Sequence, residues 1–163
     1  MINIVLLEPE IPQNTGNIVR TAAATGATLH LIKPLGFDIS EKSVRRAGLD
    51  YWQHANVQVY ENLEDFRAKN PDANCYYTTT KADNLYSEVA FKEGDYVFFG
   101  KETTGLPEAL IAENKDKALR IPMLKGLRCL NLSNAVAIIV YEALRQNDFQ
   151  GFDFSAKPFN GKH

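Results

Sequence analysis

The chain has 163 residues, 45% hydrophobic and 23% charged, which suits one domain with an ordinary core and excludes a disordered or fibrous chain. Its net charge of −2 supplies no global field toward nucleic acid, so any nucleic-acid binding must come from a local patch. Cys75 and Cys129 make neither a disulfide framework nor a metal pattern, and no apolar run approaches a membrane span, so the expected setting is reducing and cytoplasmic, with no membrane partner.

Residues 2–7 form a continuous apolar run, as in a strand buried on both faces. Lacking a basic flank and a small-residue cleavage site, the run reads as a first strand, not a signal peptide. Residues 8–13 read as a proline-punctuated loop. Asn14 then reads as the start of a helix carrying Ile18, Val19, Ala22 and Ala23 and ending near Gly26. A second strand is expected at 29–32, a turn at Pro34-Leu35-Gly36, and a helix at 41–47 that carries Arg45 and Arg46. Next come a strand at 57–60, a helix at 63–69, a β-former-rich strand at 75–79, an irregular stretch at 84–94 and a strand at 96–99. A short helix at 106–112 has Pro107 in its first turn, and a strand follows at 118–121. Leu132, Val136, Ile139 and Ala143 recur at helical spacing over 132–146, with Asn131 and Ser133 suited to the helix start. The polar tail at 151–163 reads as loose, leaving 1–150 as the domain proper. Strands alternating with helices predict an α/β domain with a mainly parallel sheet and helices on both faces.

Three stretches share one character: a strand end, a polar or glycine loop, then a helix. They are PQNTGNIVR at 12–20, FGKETTGLP at 99–107, and RIPM with LNLSNAVAIIVYEALRQ inside 120–146. Open α/β sheets place ligands at such strand ends, and glycine lets backbone approach a ligand closely. Neither GxGxxG nor GxxxxGK[ST] is present, so a dinucleotide or P-loop site is not supported. Taken singly, each stretch is equally a common strand-to-helix turn, and Arg20 equally a solvated helix residue; together they point to one shared pocket. Lys42, Arg45 and Arg46 form one basic cluster, and Lys125 and Arg128 another; each reads either as phosphate contacts or as solvated surface. Tyr51 and Trp52 could stack on a base or pack in a core or interface. His30, His54 and His163 have no metal spacing, and Cys129 reads as a small buried filler before a nucleophile.

The three strings resemble, in order and spacing, the three motifs of the SPOUT superfamily of RNA methyltransferases; RRAGLDYW at 45–52 is similar to it as well. The likeness covers about residues 1–150 and is nearest to the small tRNA wobble-nucleotide 2′-O-methyltransferases. The resemblance implies a C-terminal trefoil knot, a homodimer, and S-adenosyl-L-methionine held by the knot loops without a metal. It implies methyl transfer to the ribose 2′-OH of the wobble nucleotide, cytidine or a modified uridine, in the tRNA anticodon stem-loop, with leucine tRNA foremost. Thr78, Gly100, Glu102, Gly105, Ile121, Met123, Cys129 and Leu130 are then the implied cofactor residues. Arg20 is the implied residue acting on the 2′-OH, with Asn131 and Ser133 orienting ribose or cofactor, and Arg45, Arg46, Lys125 and Arg128 holding RNA phosphates. Cys129 stands where relatives often carry Ser, and Thr104 where many carry Arg, which alters a hydroxyl contact and an RNA contact. Two other classes remain: a 2′-O-methyltransferase acting on rRNA or another tRNA position, and a non-catalytic RNA-binding protein of the same fold.

Overall fold

The computed structural model describes residues 1–39 and 51–156. The expected helix at 41–47, with Lys42, Arg45 and Arg46, lies outside the described residues. The strands are β1 Asn3–Leu7, β2 Thr28–Ile32, β3 Asn56–Tyr60, β4 Cys75–Thr78, β5 Asn84–Leu85, β6 Tyr96–Phe99 and β7 Ala118–Arg120. The α-helices are α1 Pro12–Thr25, α2 Leu63–Lys69, α3 Glu108–Glu113 and α4 Leu132–Gln146. Among the described residues the sheet runs β3-β2-β1-β6-β4-β7-β5, and every pairing in it is parallel.

Side chains alternate across each strand, so the sheet has two apolar faces. Ile4, Leu6, Leu29, Leu31 and Val97 face α1 and α4, packing on Ile18, Val19, Ile139 and Val140. Val5, Leu7, Ile32 and Phe98 face the other way, onto Phe66 of α2 and Leu110 of α3. The expectation of helices on both faces of a parallel sheet is met, and it explains why β1 is apolar without alternation. His30, 2% exposed, sits in an aromatic nest beside Tyr60, Phe66 and Tyr96. Its Nε2 lies 2.9 Å from Asn3 Oδ1 and its Nδ1 2.8 Å from the Tyr60 hydroxyl, contacts that a neutral imidazole satisfies.

Several expected boundaries move. α1 begins at Pro12, two residues before Asn14, because proline at the first helical position loses no hydrogen bond. Asn14 is therefore a buried residue of the first turn, and no side chain within the helix caps it. The α1 stop is as expected: Gly26 adopts φ 77°, and its N–H donates to Ala22 O. The stretch expected to be irregular holds the two-residue strand β5, which completes the sheet edge beside β7. α3 starts at Glu108, after Pro107, and β4 and β7 each stop one residue early.

Candidate active site

The chain leaves β1 toward β2 and β3 on one side, then crosses to build β4 through β7 on the other, so ligand-accessible loops gather where the order reverses. The carboxyl ends of β4, β6 and β7 open onto a cavity of about 930 Å3, which Ile11 and Asn14 of the β1–α1 region also line. Ile121, Met123 and Leu130 give it apolar walls, and Thr78, Asn14 and Asn131 place polar groups among them. Lys81, Lys101, Lys115 and Arg128 add positive charge to the lining. Lys81 pairs with Glu108 at 2.8 Å and holds that carboxyl below its ordinary range.

The loop after β6 folds back on itself. Gly105 N–H donates to Lys101 O at 2.9 Å, with Gly105 at φ 72°. A Cβ on Gly100 would overlap the Gly105 carbonyl carbon and the Leu106 nitrogen, so the close approach requires glycine there. Thr78 Oγ1 donates to Phe98 O at 2.8 Å and ties the end of β4 to β6.

Asn131 organises the third loop. Its Oδ1 accepts from Ser133 N at 2.9 Å, Asn134 N at 3.4 Å and Ser133 Oγ at 2.6 Å, which caps α4. Its Nδ2 donates to Asn14 Oδ1 at 3.0 Å, joining the starts of α4 and α1 across 117 positions.

A second junction links the first and second loops. Glu102 accepts from Glu10 N and Ile11 N, while Glu10 accepts from Thr103 N and Oγ1. Burial, with the Glu10 charge nearby, raises the Glu102 carboxyl above its ordinary range against the pull of those N–H groups. The Thr103 hydroxyl and N–H hold Glu10 below its own.

The structure brings Thr78, Gly100, Glu102, Gly105, Ile121 and Met123 to this one cavity, along with Leu130, Arg128, Asn131 and Cys129, which is exposed there and is not the buried filler expected. Ser133 is used in the cap and does not line it, nor does Lys125. Arg20 is exposed on α1, outside the lining, with its guanidinium over the Tyr51 ring. Arg45 and Arg46 lie outside the described residues. Sequence reasoning did not single out Glu10, Lys81, Lys101 or Lys115; the partners of the first three lie tens of residues away, and no local pattern announces them. Among the described residues, no three His, Cys, Asp or Glu side chains gather as a metal site.

The parallel sheet, with successive strand-end loops and the capped C-terminal helix lining one cavity, matches solved structures of the SPOUT methyltransferase fold. The SpoU rRNA methylase family matches residues 1–141, and the chain belongs to that family. A tRNA (cytidine(34)-2′-O)-methyltransferase of Saccharophagus degradans is 50% identical over 152 residues, covering 93% of this chain and 99% of the relative. A structure reported for the 2-OH methylation of C/U34 on tRNA superposes with a TM-score of 0.87 at 43% identity, covering 92% of this chain and 98% of that one. The SpoU methyltransferase AviRb of Streptomyces viridochromogenes, solved with AdoMet, superposes with a TM-score of 0.76 at 26% identity, covering 90% of this chain and 60% of that one.

Proposed function

We propose that this chain transfers a methyl group from S-adenosyl-L-methionine to the ribose 2′-OH of the wobble nucleotide, cytidine or a modified uridine, in the tRNA anticodon stem-loop. The observation that carries the reading is the cavity built by three strand-end loops, with room and mixed polarity for a nucleoside-sized cofactor. Relatives covered end to end and named for that reaction support it. Thr78, Gly100, Gly105, Ile121, Met123 and Leu130 would hold the cofactor, with the Cys129 backbone beside them. Gly100 fits that role, since any side chain there would fill the close approach of its loop. When bound, S-adenosyl-L-methionine supplies a sulfonium-activated methyl, and no metal is needed.

Transfer to a 2′-OH needs oxygen, methyl and sulfur in line, with water excluded. Asn131, fixed by its cap bonds and by Asn14, would orient the ribose at the cavity wall, and Ser133 would keep Asn131 in place. A guanidinium has five donors and no acceptor, so Arg20 would hold the 2′-oxygen or the adjacent phosphate in line while the hydroxyl passes its proton to a water. Arg128 and Lys125, with Arg45 and Arg46, would take RNA phosphates.

Because Arg20 lies outside the cavity of its own chain, the reaction as read here calls for a second copy, in an isologous homodimer through α1 and α4. The apolar Ile138 and Tyr141, 36% and 46% exposed on α4, support that surface. A C-terminal trefoil knot and a cytoplasmic location belong to the same reading. The knot rests on the family likeness alone.

Mass spectrometry of tRNA nucleosides from a deletion strain tests the function. The expected result is loss of the 2′-O-methyl nucleoside at the wobble position. Loss from an rRNA nucleoside or another tRNA position instead would move the substrate. No lost methyl, together with no cofactor binding, would leave a non-catalytic RNA-binding protein.

A further inference from the structure

We propose that Glu102 and Glu10 form a reciprocal clamp that positions the glycine loop against the entry of α1, so that Glu102 shapes the cofactor cavity as a positioning residue. This rests on reading that cavity as the S-adenosyl-L-methionine site. Glu102 Oε2 accepts from Ile11 N at 2.6 Å and from Glu10 N at 3.0 Å, and Oε1 lies 3.2 Å from Glu10 N. In return, Glu10 Oε1 accepts from Thr103 Oγ1 at 2.7 Å and Thr103 N at 3.2 Å. Each carboxylate thus binds the backbone of the other's loop. Nearer the two strand ends, Glu8 pairs with Lys101 at 3.4 Å.

Two like charges close together repel, and backbone N–H donors on both sides offset that repulsion. Glu102 also supplies what α1 lacks. That helix has no side-chain cap and no acidic residue in its first turn, and the Glu102 carboxylate binds the N–H groups just ahead of it. The Glu10 backbone is held from its other side as well: a Cβ on Gly36 would stand 2.6 Å from Glu10 O, and Gly36 N–H donates to Pro9 O at 2.9 Å. Glu8 adopts φ 55°, a left-handed conformation that a residue with a side chain rarely adopts unless its surroundings enforce it. Two backbone N–H groups, one of them shared by both oxygens, hold the Glu102 carboxylate in a fixed orientation. Its effect on the cavity runs through Ile11 and the 100–105 loop.

Glu102→Gln keeps the shape but removes the charge that strengthens both bonds at Oε2, and its N–H2, in the place of Oε1, opposes the Glu10 N–H donor. We expect the S-adenosyl-L-methionine Kd, by calorimetry, to rise about tenfold, with a larger effect on Kd than on kcat, and amide exchange at Glu10 and Ile11 to quicken. Glu10→Gln should quicken exchange at Thr103. The double variant should be no worse in Kd than the worse single one, since a single clamp can be opened only once. Unchanged exchange at Glu10 and Ile11 in Glu102→Gln, or additive effects in the double variant, would overturn the clamp. A fall in kcat at unchanged Kd would overturn it too, by placing Glu102 at the reacting atoms. If Glu102→Gln does not fold, Glu10→Gln alone decides, through exchange at Thr103. If the unaltered protein binds no S-adenosyl-L-methionine, the cavity reading fails, and exchange at Glu10, Ile11 and Thr103 still judges the clamp.

Discussion

The guanidinium of Arg20 lies over the ring of Tyr51, with Cζ 4.5 Å from the ring centroid, and Arg20 Nη2 donates to the Tyr51 hydroxyl at 3.2 Å. One aromatic side chain thereby restrains a long cation through both its face and its edge, and the remaining guanidinium donors stay available. A tyrosine that the sequence offered as a base-stacking surface is engaged instead with the arginine proposed to act on the 2′-OH.

Arg20→Ala should therefore abolish methylation at saturating tRNA while leaving S-adenosyl-L-methionine binding nearly intact. Tyr51→Leu, which removes the face and the hydroxyl together, should lower turnover by about threefold to tenfold, with Tyr51→Phe in between. Single-turnover assays with separate cofactor titrations measure both. Near-normal turnover by Arg20→Ala would remove that residue from the chemistry and leave Ser133, or a water relayed by phosphate, as the next choice.

His30 makes folding stability depend on pH. Burial lowers its pKa from 6.5 to about 4, so between those values the unfolded chain binds the proton and the folded chain does not. Stability from this group is therefore fully present above pH 6.5 and is lost as pH falls toward 4, by up to about 3 kcal/mol. Urea midpoints taken from pH 7 to pH 4 should fall over that window, and His30→Gln should flatten the curve. An identical slope in the variant would assign the effect to other groups.

The loop after β6 should tolerate no side chain at its first glycine. Gly100→Ala meets backbone atoms, which cannot rotate away, and should cost at least about 2 kcal/mol together with cofactor affinity. Gly105→Ala meets nothing within 4 Å, yet its φ of 72° should still cost about 1–2 kcal/mol. Chemical denaturation of the two variants ranks them, and a Gly100→Ala protein as stable as Gly105→Ala would contradict the close approach.

Assembly is open to direct measurement. Sedimentation at micromolar concentration should give about twice the 18.3 kDa chain mass, and Tyr141→Glu on the exposed face of α4 should shift it toward one. A monomer that still methylates tRNA would separate the proposed reaction from the dimer.

Much of the architecture was readable from local pattern. The apolar run of β1 at 4–7, the cap before α4 and the glycine after α1 each act within a few residues, so the chain states them directly. Boundaries failed where a local preference met a stronger constraint: Asn14 suits a cap, but Pro12 opened the helix two residues earlier and left Asn14 inside it, facing Asn131. β5 has only two residues, too short for any periodicity, and exists because β7 offers an edge.

The sequence by itself determined the α/β class and the three loops, because strand alternation, proline, glycine and cap residues act through the neighbouring backbone and are written into short windows. It also carried the family likeness, in three strings whose order survives without any knowledge of the fold. The convergence of the loops on one pocket was expected, but tertiary structure alone decided that Asn131 meets Asn14, that Glu102 and Glu10 exchange backbone partners, and that Arg20 rests on Tyr51 outside the cavity of its own chain. Each of these contacts joins residues 31 to 117 positions apart. Such pairings are set by the order in which parallel strands assemble, and no short window of sequence contains that order.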